Sequence, residues 1–173
     1  MRKILKRDFF ERDTLVVARG LLGKYLVRKW RGSERAYLIT EVEAYDGFED
    51  KASHAHRGET ARNAPMFGPA GVWYVYLVYG VHYMLNIVTG KQGYPSAVLI
   101  RGVEGVKGPG CVTKSLHIAR AQNNTPASLP CGLWVEDRGT VVKDDEVKRT
   151  PRVGVAYAGI PWAQKKYRFV LKK

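Results

Sequence analysis

The most regular alternation in the chain runs through residues 37–45, Tyr-Leu-Ile-Thr-Glu-Val-Glu-Ala-Tyr. An extended strand here puts Tyr37, Ile39, Glu41, Glu43 and Tyr45 on one face and Leu38, Thr40, Val42 and Ala44 on the other. A carboxylate and an aromatic ring then share a side. Two acids in a strand are also what a solvated face shows, so the pattern alone leaves both readings open. Ahead of it, Tyr25–Trp30 alternates too, and Arg31-Gly-Ser-Glu-Arg35 supplies turn residues, which predicts a hairpin leading into the acidic strand. Behind it, residues 46–71 form a polar stretch rich in Gly and Pro, with Met66 and Phe67 as apolar anchors. A loop that long inside a compact domain is more often functional than idle.

Residues 72–88 read as two β-rich runs broken at Tyr79-Gly80, a hairpin with Tyr79 projecting from its tip. Trp73, Val75 and Leu77 fall on one face of the first run, and Tyr74, Tyr76 and Val78 on the other. Asn86, inside an apolar run, reads as a buried amide satisfied by neighbouring backbone. Residues 97–104 form a short strand in which Arg101, on pattern alone, is a solvated strand end. Further strands are expected at 132–137, 152–157 and 167–171. Asp8 and Asp13 are candidate helix caps, 13–23 is a short helix stopped at Gly20 or Gly23, and 111–121 is a second helix after Gly108-Pro-Gly110. Lys114 and Arg120 on that helix are available to phosphates or to solvent. With no internal repeat or linker, the expectation is one mixed domain over residues 1–173, dominated by strands.

Composition narrows the class of partner. With 173 residues, 45% of them hydrophobic, the chain can bury one sizeable core. Lys and Arg number 29 against 16 acids, a formal net charge of +13. An excess spread through the chain favours a polyanion, nucleic acid ahead of an anionic membrane surface, although charge kept for solubility is the blander account. Cys111 and Cys131 have no Cys-x-x-Cys spacing, which disfavours a zinc finger or disulfide framework. The N-terminus does not read as a secretory signal. Residues 72–88 lack Lys, Arg, Asp and Glu but carry Tyr, His, Asn and a central Gly, so no membrane span is expected.

Three chemistries compete for the acidic strand and the loop behind it. Asp46, Glu49, Asp50, His54 and His56 are metal-ligand types, yet none of the established spacings is present. Cys111 or a serine could be a nucleophile, but no activated-nucleophile motif accompanies them. The third is a single carboxylate activating water against a glycosidic bond in nucleic acid. Sugar hydrolases normally need two carboxylates because an alkoxide leaving group must be protonated. A base that already carries positive charge leaves without that help. Reaching the bond in a duplex requires turning the nucleotide into a snug, partly aromatic pocket. Tyr45, His54 and Tyr76 could form that pocket, and Tyr79 could fill the gap left in the stack.

Thr40-Glu-Val-Glu-Ala-Tyr45, Ala52-Ser-His54, Thr60-Ala-Arg-Asn63, Met66-Phe67, Tyr74-Val-Tyr-Leu-Val-Tyr-Gly80, Asn86, Val98-Leu-Ile-Arg101 and Arg152-Val-Gly-Val155 resemble, in order and spacing, the alkyladenine (3-methyladenine) DNA glycosylase family. The resemblance spans nearly the whole chain and implies an α+β fold, a single mixed domain with a curved antiparallel sheet and flanking helices. It also implies a monofunctional enzyme without metal or cofactor that excises alkylated purines and leaves an abasic site. Its partner would be double-stranded DNA containing alkylated or deaminated purines, with no membrane partner. The enzyme would be a monomer, cytoplasmic and nucleoid-associated if prokaryotic. By position, Glu43 is the general base, with Arg101 and the Val153 carbonyl helping to hold the water. Tyr45, His54 and Tyr76 sandwich the base, Asn86 clashes with the amino group of guanine, and Tyr79 intercalates. Two features depart from the family pattern: only Gly-Val-Lys separates Glu104 from Gly108, and Cys111 stands where a lysine is expected. The chain lacks the extended N-terminal tail of eukaryotic members and looks more like a prokaryotic one. The competing accounts are a non-enzymatic damaged-DNA-binding protein, which has no need of Glu43, and a metal-dependent nuclease.

Overall fold

A computed structural model of the chain describes residues 2–172. Its strands are β1 Lys3–Ile4, β2 Tyr25–Trp30, β3 Ser33–Asp46, β4 Trp73–Val78, β5 His82–Val88, β6 Ser96–Val103, β7 Val106–Lys107, β8 Leu133–Asp137, β9 Val147–Thr150 and β10 Arg168–Leu171. Its α-helices are α1 Arg7–Phe10, α2 Thr14–Leu21 and α3 Pro109–Ser115. The strands form one antiparallel sheet in the order β1-β8-β2-β3-β6-β5-β4, with β10 and β9 continuing from β3 and β7 from β6. The fold is therefore α+β, as the resemblance implies. Among the described residues no helix is long and apolar enough to cross a membrane.

Everything is hung on β3, the longest strand at 14 residues. Its first half pairs with β2 through a two-residue turn at Arg31 and Gly32, both at positive φ, the geometry whose twist suits a tight hairpin. Its second half exchanges β2 for β10, with Glu43 opposite Arg168 on one side and Leu99 of β6 on the other. Between the halves the β3–β6 pairing is irregular: it slips by one residue between Ile39 and Glu41 and slips back between Glu41 and Val42. This corrects the strict alternation expected for residues 37–45. Ile39 packs in the main core with Val42 and Ala44, not on the face of Glu43. This irregular stretch re-aims the strand, so that Glu41 and Glu43 leave the core side while Ile39, Val42 and Ala44 fill it on both sides. Gly102 faces this stretch because a Cβ there would lie 3.1 Å from Glu41 Cβ and 3.4 Å from Thr40 Oγ1.

The helices follow local sequence chemistry. Asp13 caps α2 as expected, its Oδ1 accepting from the amides of Leu15 and Val16 at 2.9 and 3.0 Å. Val17, Ala18 and Leu21 are turned into the core, and Gly23, at positive φ, lets the chain leave. Asp8 is not a cap: it lies inside the first turn of α1, after Lys6 at the N-cap. The helix expected over 111–121 starts earlier and is shorter. Pro109 opens α3 with its φ already suited to a helix, and His117, in the left-handed region at φ 50°, ends the run. The strand expected at 152–157 is absent, because Gly154 at φ 74° turns the backbone and Arg152 is buried while Val153 is exposed. β1, β7 and β9, too short to leave a pattern, were not anticipated.

Candidate active site

A long-range strand pair and a hairpin meet at the site. β3 and β6 bring Glu43, Tyr45, Leu99 and Arg101, while β4 and β5 bring Tyr74, Tyr76, Met84 and Asn86. Loop 47–72 adds His54 and Met66, and the turn after β9 adds Val153, Gly154, Val155 and Tyr157. Apart from Glu43, these residues line a partly open cavity of about 260 Å³, just below the usual range of small-ligand sites.

Glu43 sits beneath this cavity with 0% exposure. Its Oε1 accepts from the Val153 amide at 2.7 Å and its Oε2 from the Tyr45 hydroxyl at 2.9 Å. Arg101 Nε lies 3.5 Å from Oε1. Burial pushes the Glu43 carboxyl up from the ordinary glutamate value; Arg101, the Val153 amide, the Tyr45 hydroxyl and Arg168 offset only part of that. The result is a carboxylate more basic than a surface glutamate. Glu41, its neighbour on the strand, is differently engaged, since its Oε1 takes both Arg101 Nε at 2.9 Å and Arg168 Nε at 2.7 Å. Arg101 is thus no solvated strand end; it bridges both acids.

Apart from Arg101, the walls are largely aromatic and uncharged. His54 meets the Tyr76 ring edge to face at 4.6 Å, and its Nδ1 is 3.3 Å from the Tyr74 hydroxyl. Burial, helped by Arg62, pulls the His54 imidazole below its usual value, so it is neutral at physiological pH. Burial also pushes the Tyr74 hydroxyl up to about 12 and raises those of Tyr76 and, with Glu43 adding to it, Tyr45. All three phenols therefore keep their protons. Asn86 is buried as expected, with Nδ2 donating to the carbonyls of Tyr74 at 3.1 Å and Met84 at 3.4 Å. Among the described residues nothing donates to its Oδ1, which leaves an acceptor on a cavity-lining side chain. Tyr79 stands at the hairpin tip at φ 52° with 92% exposure. The five candidate metal ligands do not converge: Asp46 accepts from Thr14, Asp50 pairs with Arg152, and His56 Nδ1 contacts the Phe48 carbonyl. No group of three or more His, Cys, Asp or Glu able to hold a metal occurs among the described residues.

The sequence profile of the methylpurine-DNA glycosylase family matches residues 8–107 and 105–173. The chain belongs to that family. Membership makes it a DNA N-glycosylase. A relative from Anaeromyxobacter sp. strain Fw109-5 is 46% identical over 97% of this chain and 89% of its own length. One from Legionella pneumophila strain Paris is 44% identical over 99% and 96%, and one from Methanocella arvoryzae 45% identical over 90% and 86%. Each bears the provisional name 3-methyladenine DNA glycosylase.

Several residues of this glycosylase that shape the site escaped the strand and helix pattern. Arg152 and Asp50 form a fully buried ion pair behind Tyr45, with the guanidinium carbon 4.8 Å from the ring centre. Arg152 also donates to the Ala44 carbonyl at 2.9 Å, so it ties the 152–158 turn to the acidic strand. Asn63 is likewise buried and holds loop 47–72 in shape, with Nδ2 donating to the His54 and Gly58 carbonyls at 3.0 Å each and Oδ1 accepting from the Thr60 amide at 2.7 Å. The Val153 contact to Glu43 is made by its amide, a donor role distinct from the carbonyl role the resemblance implies. Arg152 and Asn63 stand inside motifs that carried the resemblance, which was the only available signal for them.

Proposed function

We propose that the chain removes alkylated purines, 3-methyladenine among them, from duplex DNA by attack of water on the N-glycosidic bond, leaving an abasic site. The observation that carries this reading is Glu43: a buried carboxylate held at both oxygens, with a raised pKa, beneath an aromatic-walled cavity of about 260 Å³. The water gives its proton to Glu43 as its oxygen bonds to C1′. The C1′–N bond breaks and its electron pair goes to the purine. An alkylated purine carries positive charge beforehand and so departs neutral, which is why one carboxylate suffices and no acid partner is required. Arg101 and Val153, both lining the cavity beside Glu43, hold the water.

The walls suit such a substrate. The π faces of Tyr45, Tyr74 and Tyr76 attract a cationic ring, and a neutral His54 does not repel it. Tyr45, His54 and Tyr76 clasp the base, the free Asn86 acceptor opposes the guanine amino group at close range, and Tyr79 occupies the space vacated in the stack. The base must leave the helix to reach Glu43, because the carboxylate has no exposed surface.

Incubating the protein with EDTA and a duplex carrying a single 3-methyladenine, then measuring free base, tests the reading. Release by the parent and its loss in Glu43→Gln, with binding retained, is expected. Binding without release in the parent points instead to a damage-recognition protein, and strand cleavage abolished by EDTA to a nuclease.

A further inference from the structure

A second cavity, of about 160 Å³, lies at the opposite end of α3 from the base pocket: Pro109 lines the first and Ser115 the second. Its lining includes Arg28, Trp30, Arg31, Arg35 and His117, and no acidic side chain. Two features of it favour an anion. Arg28 and Arg35 stand directly opposite one another across the β2–β3 ladder, and like charges so placed destabilise a sheet. Arg28 is also buried, which pulls its pKa down from the ordinary arginine value. Among the described residues none of Arg28, Arg31 and Arg35 forms an ion pair. The acid between the two rim arginines, Glu34, is turned away to Arg2 at 2.8 Å.

The remaining geometry is that of a built receptor. Arg28 donates to the carbonyls of Leu116 and His117 at 3.1 and 3.2 Å, which caps α3 and offsets the partial negative charge of its C-terminus, and to the Gly132 carbonyl at 3.1 Å. Those bonds engage three of the guanidinium's five N–H groups. Trp30 and His117 stack at 3.8 Å with planes 17° apart, and Arg31 lies over the other partner of that stack, 4.5 Å from the Trp30 ring centre. Arg28 and Arg31 are therefore held in place before any ligand arrives, while exposed Arg35 is free to close on it. The volume equals roughly five waters' share of the liquid, which leaves room for a tetrahedral oxyanion together with some of its hydration.

We propose that this pocket binds a backbone phosphate of the DNA. The inference rests on the reading of the chain as DNA-acting. α3 has seven residues, so its two ends are about 9 Å apart along the axis, a spacing of roughly two to three base-pair steps on a duplex. Exposed Lys107 precedes the same helix and exposed Lys114 lies in its last turn. The site anchors the strand away from the flipped nucleotide and carries no base recognition, since its donors are arginines presented to an oxyanion.

Two measurements test it. In the first, inorganic phosphate is titrated against chloride at matched ionic strength, following the Trp30 indole N–H by NMR. A saturable shift that Arg35→Gln abolishes and undamaged duplex DNA competes away is expected. No saturable shift overturns the site, and a shift that DNA does not compete for overturns the DNA source in favour of a free phosphate ester. In the second, the slope of log affinity against log salt for duplex DNA is compared between the parent, Arg31→Gln/Arg35→Gln, and a charge-matched control, Lys143→Gln/Lys148→Gln. A slope shallower by about 1 in the first variant but not the control is expected for one lost phosphate contact; equal slopes overturn the site. Base release by the parent is scored separately, so a silent pocket in an active enzyme sinks this site alone, and a phosphate-binding but inactive protein sinks the excision reading alone.

Discussion

Arg152 grips Asp50 in a two-point ion pair with no solvent exposure on either side chain, and the very next amide, that of Val153, is the donor to Glu43 at 2.7 Å. The pair therefore fixes the position of a hydrogen bond to the acid in the site. A buried pair broken on one side leaves an uncompensated charge, so Asp50→Ala is expected to lower stability by about 3–5 kcal/mol in urea unfolding. Arg152→Lys keeps the charge but loses the planar fork and the bond to the Ala44 carbonyl. Its kcat is expected to fall on the order of 10²-fold, with KM changed far less, because Val153 is displaced from Glu43. Equal effects on kcat and KM would argue against positioning.

Glu43→Gln is expected to reduce base release by at least about 10²-fold while leaving the protein no less stable at neutral pH. Burial raises the folded-state pKa of Glu43, so between the unfolded value and that raised value the native state holds more protons than the unfolded chain. Stability from this group is present at low pH and is lost as pH rises through the folded pKa. The neutral amide escapes that loss. Urea midpoints of parent and variant compared from pH 4 to pH 8 check the sign: the variant should gain on the parent as pH increases.

His54 shifts the other way. Its pKa is lowered by burial and by Arg62, so the unfolded chain takes up a proton near 6.5 that the folded state refuses. Stability from this group is present above that value and is lost as pH falls through it and on to the folded pKa. Below the folded pKa an imidazolium faces the base pocket, and a cationic lesion is repelled. Affinity for a duplex carrying a cationic alkylpurine is expected to drop with acidification more than affinity for one carrying neutral hypoxanthine, and His54→Gln should remove the difference.

The extent to which these residues could be read from the chain varies for physical reasons. The hairpin at Arg31-Gly32, the Asp13 cap and the Tyr79 tip are local events, dictated by residues adjacent in sequence, and their chemistry is visible there. The irregular stretch at Thr40 and Glu41 is not, because it depends on how β6 pairs with β3; strict alternation therefore misplaced Ile39. The error did not reach Glu43 and Tyr45, which lie beyond the slip. Arg152 and Asp50 are 102 residues apart, and nothing in a strongly polar residue near a Gly announces burial. Arg101 reads as a solvated strand end on pattern for the same reason: its partners Glu41 and Glu43 sit on another strand.

Asn86 combines a structural bond with an unpaired acceptor, so its replacement separates the two. Asn86→Ser loses the bonds to the Tyr74 and Met84 carbonyls, at a cost of about 1 kcal/mol each or less. It also clears the Oδ1 acceptor from the cavity wall. Release of unmodified guanine, or of guanine lesions that keep the amino group, is expected to rise relative to 3-methyladenine. A uniform fall for all bases would show that Asn86 serves packing alone.

Tyr79 offers the sharpest separation of function from stability. It is 92% exposed and holds a left-handed backbone at φ 52°, a conformation that costs a non-glycine residue roughly 1–2 kcal/mol. Nothing in the folded protein is gained from the ring, since so little of it is buried. Tyr79→Gly relieves the backbone, although glycine's larger unfolded-state entropy offsets part of the gain. The urea midpoint is therefore expected to stay level or rise slightly. If the ring fills the space left by the extruded nucleotide, the same variant should bind undamaged duplex almost as the parent does, yet release 3-methyladenine more slowly and lose its preference for damaged over undamaged DNA. Measured side by side, a stable variant with undiminished damage preference would assign Tyr79 to the surface and not to the site.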